Sequence, residues 1–268
     1  MQFLKPIFMA FGLLFFGPQG ALTSFGREPG RDFFELKIYH LQTREQTDRL
    51  DKYLQQAYLP ALHRAGIRQV GVFKPLENPA GGLPAITEQL VFVLIPCASA
   101  GQYLQLQPGL DQDPEYQLSG QDYLNATFDN PVYARLETVL MRAFTGLPTI
   151  HKPALKSRPA DRVYELRSYE GASEKLSQNK VDQFNTGEIA IFRRLNFNTV
   201  FCGQVLAGSR MPNLMYLSAF ENQADQEAHW QAFKDDAAWQ QLSGLPEYAH
   251  NMLRMDKHLL HPTAYSDI

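Results

Sequence analysis

Glu35, Lys37 and Tyr39 stand on alternate positions of DFFELKIY, and Glu165, Arg167 and Tyr169 on alternate positions of RVYELRSY. In an extended strand alternate side chains share a face, so each stretch gathers a carboxylate, a cation and a phenol on one side. Such a trio could hold an anionic group with the cation and offer it a proton from the phenol. Two further cations, Arg142 in Leu140-Met141-Arg142 and Arg254 in Met252-Leu253-Arg254, fall in the last strand-like stretch of each half. In this reading Arg142, Arg167 or Arg254 grips the ligand, and Tyr39 or Tyr169 is the catalytic donor. The same residues also have a simpler use. Opposite charges facing each other on a sheet contribute roughly 0.2–1 kcal/mol per pair, and buried carboxylates need such partners. Glu35, Lys37, Glu165 and Arg167 would then seal one half of the chain against the other.

Other chemistry is scarce. The seven histidines show no metal-ligand spacing, and His258 and His261 fall on opposite faces of a strand. His229, beside Trp230 on the second long helix, is a single histidine on an amphipathic helix, a weak signal for any site. There is no G-x-S-x-G elbow, P-loop or dinucleotide fingerprint, and no metal or cofactor is called for. Cys97 and Cys202 lie in apolar runs, where buried free thiols are common. With 25 Lys and Arg against 28 Asp and Glu there is no broad positive field, so nucleic acid is not an expected partner.

The elements that must position these residues occur twice. Phe34, Glu35, Leu36, Lys37 and Tyr39 match Tyr164, Glu165, Leu166, Arg167 and Tyr169. The same offset pairs Leu54 with Phe184, Leu62 with Phe192, Arg64 with Arg194 and Val70 with Val200. After a longer loop in the first half, LVFVL at 90–94 matches LMYLS at 214–218, and Asp113-Pro114-Glu115-Tyr116 answers Asp236-Ala237-Ala238-Trp239. Each repeat reads β-α-β-β-α-β by its periodicity. Such a unit closes into a four-stranded antiparallel sheet with both helices on one face. The other face stays bare unless a second sheet covers it, which gives the duplication a physical reason. Strand alternation suggests that Phe34, Leu36 and Ile38 meet the helices while Glu35, Lys37 and Tyr39, with Glu165, Arg167 and Tyr169, point between the two sheets.

Lys5 before the apolar run from Ile7 to Phe16, then Gly17, Pro18 and Gly20, has the layout of a secretory signal peptide. The run is too short to span a bilayer. The expected organisation is a signal peptide at 1–24, domains at 33–150 and 162–262, and a linker at 151–161, in an exported protein (periplasmic or secreted) with no stable membrane span after processing.

The Tyr164-Glu165-Leu166-Arg167-Ser168-Tyr169 strand, its weaker copy at 34–39, the Asp-x-x-aromatic helix starts and the closing Leu260-His261-Pro262-Thr263 resemble the NIPSNAP family of the dimeric α/β-barrel superfamily, from about Phe33 to Ser266. The resemblance implies an α+β fold: tandem ferredoxin-like repeats forming a dimeric α/β barrel within one chain. It implies no family-wide catalytic residue. The functional expectation is a module that binds a small apolar or anionic molecule, or another protein, in clefts lined by aromatics such as Phe34, Tyr164, Phe184 and Phe192. The alternative is a cofactor-free or haem-dependent monooxygenase-like enzyme acting on a small aromatic or quinone-like compound. Self-association into a homo-oligomer, in a purely structural role, is the third reading.

Overall fold

The computed structural model describes residues 30–76 and 89–268. The expected export segment, 1–24, lies outside them. The first repeat supplies β1 (Phe33–Leu41), α1 (Arg44–Tyr53), a π-helical turn (Leu54–Tyr58), α2 (Leu59–Arg64), β2 (Gly71–Pro75), β3 (Gln89–Cys97), α3 (Ala100–Asp111), α4 (Pro114–Ser119), α5 (Gln121–Leu124) and β4 (Arg135–Ala143). The second supplies β5 (Val163–Glu170), α6 (Glu174–Gln183), a π-helical turn (Phe184–Glu188), α7 (Ile189–Arg194), β6 (Thr199–Ala207), β7 (Asn213–Phe220), α8 (Gln223–Asp235), α9 (Ala237–Ser243) and β8 (Arg254–Pro262). Among the described residues no helix is long and apolar enough to cross a membrane.

Each repeat makes the antiparallel order 4-1-3-2, and the two sheets join through β2–β8 and β4–β6 into one closed barrel, β1-β3-β2-β8-β5-β7-β6-β4. Closure removes the free edges that either sheet alone would present. Matching polar residues start matching helices. Thr43 and Ser173 accept amides at the starts of α1 and α6, Ser99 and Asn222 at α3 and α8, and Asp113 and Asp236 at α4 and α9. Side-chain oxygens satisfy amides that have no partner within the helix. Both aspartates also hold the equivalent arginine of the preceding long helix, Arg64–Asp113 at 2.7 Å and Arg194–Asp236 at 2.8 Å.

Two sequence expectations need correction. In the third strand the alignment of the repeats was one residue out: Lys37 pairs with Val93 and Arg167 with Tyr216, so Tyr216 corresponds to Val93, not Phe92. The strand faces were also inverted. Phe34, Leu36, Phe73, Phe92, Met141, Tyr164, Leu166 and Leu217 fill the barrel interior as one cluster drawn from both sheets. Glu35, Tyr39, Glu165 and Tyr169 turn outward, under the helices, where a second and a third cluster lie. The reason is room and partners. An eight-stranded barrel is just wide enough for its own side chains, whereas the helix layer of the second repeat brings Gln226 and Trp230 as donors to Glu165. With both strand faces covered, LVFVLI and LMYL read as unbroken apolar runs.

Candidate polar site beneath the helices of the second repeat

On β5 the Glu165 carboxylate is fully enclosed, and three donors converge on it. Trp230 Nε1 of α8 donates at 2.6 Å, Gln226 Nε2 of the same helix donates a very short bond, and Arg167 Nε donates at 2.5 Å. The spacing of Gln226 and Trp230 places both on one helix face. The Arg167 guanidinium carbon lies over the Trp230 ring, 3.5 Å from its centroid, and the guanidinium donates to the Tyr169 hydroxyl at 3.3 Å. That hydroxyl shares a 2.8 Å hydrogen bond with the Tyr216 hydroxyl on β7. Burial works against the arginine's charge, yet Tyr216, Tyr169 and Glu165 around it hold its pKa above the ordinary arginine value. Burial pushes the phenols of Tyr169 and Tyr216 up, so both keep their protons near neutral pH, and within their shared hydrogen bond one donates and the other accepts.

A second buried pair adjoins this group. Lys180 Nζ on α6 meets Glu188 Oε2 at 3.0 Å and Gln183 Oε1 at 2.8 Å. The ammonium also lies 5.0 Å from the Phe184 ring centroid and 5.7 Å from that of Tyr169. Burial raises the Glu188 carboxyl above the usual carboxylate range against the opposing pull of Lys180 and Arg167. The π-helical turn Phe184–Glu188 changes the phase of the helix between the two residues, and such turns recur at functional sites. The segment between α9 and β8 closes over α6 through Asn251, whose amide donates to Asn179 Oδ1 and Gln183 Oε1. Arg167 is the member that reaches water: its side chain is 14% exposed, against 0% for Glu165 and 3% for Glu188.

The first repeat uses the same positions differently. Glu35 pairs with Lys37 at 3.2 Å, but Leu50 stands where Lys180 does and Tyr58 where Glu188 does. Around them is a cluster of phenols. Tyr53 stacks on Tyr123 at 3.7 Å, and hydroxyl pairs join Tyr53 to Tyr116 at 2.8 Å and Tyr39 to Tyr123 at 3.3 Å. Burial raises the pKa of Tyr39, Tyr53 and Tyr58.

The sequence set is therefore not one site. Glu35, Lys37 and Tyr39 lie under the first repeat's helices, and Glu165, Arg167 and Tyr169 under the second's. Arg254 sits at the barrel mouth, 3.9 Å from Glu170 and largely exposed. Arg142 pairs with Phe33 in the β1–β4 ladder, away from Arg254. Among the described residues Glu35 and Glu165 do not pair with cations of the other half, because each takes its cation from its own strand. Of the aromatics expected to line clefts, Phe34 and Tyr164 belong to the barrel interior, while Phe184 and Phe192 do lie between sheet and helices. Sequence reasoning missed Lys180, Glu188, Gln226 and Tyr216. The first two had a signal: the repeat aligns them with positions held in the first half by Leu50 and Tyr58.

The residues do not suit a haem. The His229 ring packs against Phe197 and Phe220, and its Nδ1 lies 2.8 Å from the Asp225 carbonyl oxygen. Among the described residues no three His, Cys, Asp or Glu side chains converge as metal ligands. Cys97 and Cys202 are buried, unbridged and in different clusters. Burial raises both thiols, that of Cys97 to about 12.

Residues 164–267 match the NIPSNAP family model. A search of curated proteins found no match. Among solved structures, a candidate monooxygenase from Lactobacillus acidophilus superposes with a TM-score of 0.54 at 8% identity, over 87% of this chain and 94% of its own. One from Fusobacterium nucleatum gives 0.54 at 6% identity, over 87% and 93%. An uncharacterized NIPSNAP-like domain protein from Burkholderia xenovorans gives 0.37 at 18% identity, over 40% and 90%. The second repeat of this chain is thus a NIPSNAP domain, set in a dimeric α/β barrel that a single polypeptide closes on itself.

Proposed function

We propose that this protein binds a small molecule through the polar site of its second repeat, with Arg167 as the contact and Glu165, Trp230, Lys180 and Glu188 holding it in place. One observation carries this reading. The second repeat buries two ion pairs, Glu165–Arg167 and Lys180–Glu188, whereas the first builds the same fold with Leu50 and Tyr58 in place of the second pair. A buried ion pair is often no more stabilising than apolar residues of the same volume, so folding alone does not account for it. Arg167 presents a guanidinium backed by an indole and flanked by a phenol, which suits an acceptor group on a flat ligand.

The oxygenase-like reading rests on the neighbours' assignment and on the Tyr169–Tyr216 pair. A phenol held protonated beside a guanidinium could polarise a carbonyl oxygen of a quinone-like ligand. We also read the N-terminal sequence as an export signal, so that binding would occur outside the cytoplasm. N-terminal sequencing of native material tests this, and an intact Met1 in a cytoplasmic fraction would refute it.

Native mass spectrometry of the full chain, purified without denaturation, tests the binding reading. The expected result is a bound molecule that Arg167→Gln loses; a lost charge-assisted hydrogen bond is worth about 1.5–3 kcal/mol, or roughly tenfold to a hundredfold in affinity. A chain that carries nothing, and whose melting temperature no compound in a small-molecule panel raises, would refute it.

A further inference from the structure

The connection from β4 to β5 arches over the end of α7 and encloses a groove of about 720 Å³, within the usual range for small-molecule sites. Its floor is apolar, with Leu147, Ile189 and Phe192, and its rim carries Lys152, Lys156 and Arg193. The arch is pinned by its backbone: His151 N donates to Val200 O at 2.9 Å, Ala154 N to Asn198 Oδ1 at 3.2 Å, and Lys156 N and Ser157 N to the Glu221 carboxylate. These bonds engage Glu221, the acidic residue of the lining. Among the described residues Lys152, Lys156 and Arg193 have no ion-pair partner. Arg158, Arg162 and Arg194 nearby, by contrast, are engaged with Asp161, the Ser157 carbonyl and Asp236.

The first repeat shows what such a place accepts. There the chain's last residues run where the β4–β5 arch runs in the second: Asp267 N donates to Val70 O, as His151 N does to Val200 O. The Asp267 carboxylate then lies 2.9 Å from His63 Nε2 and accepts from Val70 N at 2.9 Å. His63 and Arg193 occupy equivalent positions after the two π-helical turns. The second repeat thus has Arg193, a fixed cation, where the first has His63, and His151 where the first has the carboxylate-bearing Asp267.

We infer that this groove binds a carboxylate attached to an apolar body, the carboxylate on Arg193 and Lys152 and the body over Ile189 and Phe192. The site is separate from the polar site under α8. The probe is dodecanoate, kept below its micellar concentration and titrated calorimetrically into the full chain, with phenylacetate as an aromatic alternative and dodecanol and inorganic phosphate as controls. One saturable site is expected for dodecanoate or phenylacetate, with dodecanol and phosphate at least tenfold weaker. Lys152→Gln/Arg193→Gln should weaken binding at least tenfold, while the remote pair Lys175→Gln/Lys234→Gln leaves it unchanged. His151→Asp, which restores an internal carboxylate opposite Arg193, should block the site without lowering the melting temperature. The absence of saturable binding of either carboxylate, binding that both groove variants leave intact, or phosphate matching the carboxylates would overturn the inference. Arg167→Gln should leave dodecanoate binding unchanged, so failure here is distinguishable from failure at the polar site.

Discussion

Replacing Lys180 by Met removes one member of a buried ion pair and keeps most of the side-chain volume. At 3.0 Å and an effective dielectric constant near 20, the attraction between Lys180 and Glu188 is roughly 5–6 kcal/mol. In the intact protein, desolvation of the two ions offsets much of that. In Lys180→Met the Glu188 desolvation remains, opposed only by the weaker pull of Arg167, and breaking such a pair costs about 3–5 kcal/mol. For a chain of this size the melting temperature should fall by roughly 6–20 °C. The loss should depend on pH with a definite sign. Burial already raises the Glu188 carboxyl above the ordinary glutamate value, and without Lys180 it rises further. A carboxyl whose folded pKa is raised binds its proton more readily in the native state. The variant's deficit is therefore small below about pH 4.5 and grows as the pH rises through the raised folded pKa. Urea denaturation at pH 4 and pH 7, repeated with Glu188→Leu and the double variant, completes the cycle. The double variant should recover most of the loss. A deficit at pH 7 under about 1 kcal/mol, or one equal at both pH values, would show that water reaches the pair and that the site is not dry.

Glu165→Gln should cost about 1–3 kcal/mol in urea denaturation, the penalty of disrupting the hydrogen bonds of a fully enclosed carboxylate with three donors; Glu35→Gln should cost less, because Glu35 is less completely enclosed and its Lys37 partner is 18% exposed. Separate expression of 27–158 and 159–268 should yield halves that aggregate or dimerise, because the barrel-interior cluster draws residues from both. Mixing the halves should restore one complex by solution mass, whereas two stable monomers that ignore each other would contradict it.

The repeat, the order of its elements and the paired helix starts at Asp113 and Asp236 were readable because each depends on local sequence: strand period, helix period and capping side chains. The faces of β1 and β5 were not. A strand covered on both sides shows little contrast between its alternate positions, and polar residues then follow their partners, not the solvent. Glu165 faces outward because Trp230 and Gln226 are there, and those donors come from a helix far along the chain. The Lys180–Glu188 pair was hidden for a different reason. Eight residues apart, they would not face each other on a regular α-helix, and the π-helical turn that brings them together leaves no mark on the hydrophobic period.

Duplication explains why the two repeats could diverge. The barrel interior is common property, so Phe34, Leu36, Tyr164 and Leu166 must fit one another across the two sheets. The space under each helix pair is filled mainly by one repeat, with Tyr265 of the C-terminal segment entering the first and Phe144 and Leu147 the second. Substitutions there meet the other half at few points, and the two repeats have filled the space with opposite solutions. The first is packed with stacked and hydrogen-bonded tyrosines and has Asp267 of its own chain on His63. The second holds buried ions, an arginine that reaches water and a groove rimmed by unpaired cations. A closed barrel needs two sheets but only one working half. The asymmetry between Leu50 and Lys180, Tyr58 and Glu188, and Asp267 and His151 is what the proposed binding role of the second repeat rests on, and it leaves the first repeat, in that proposal, the structural half.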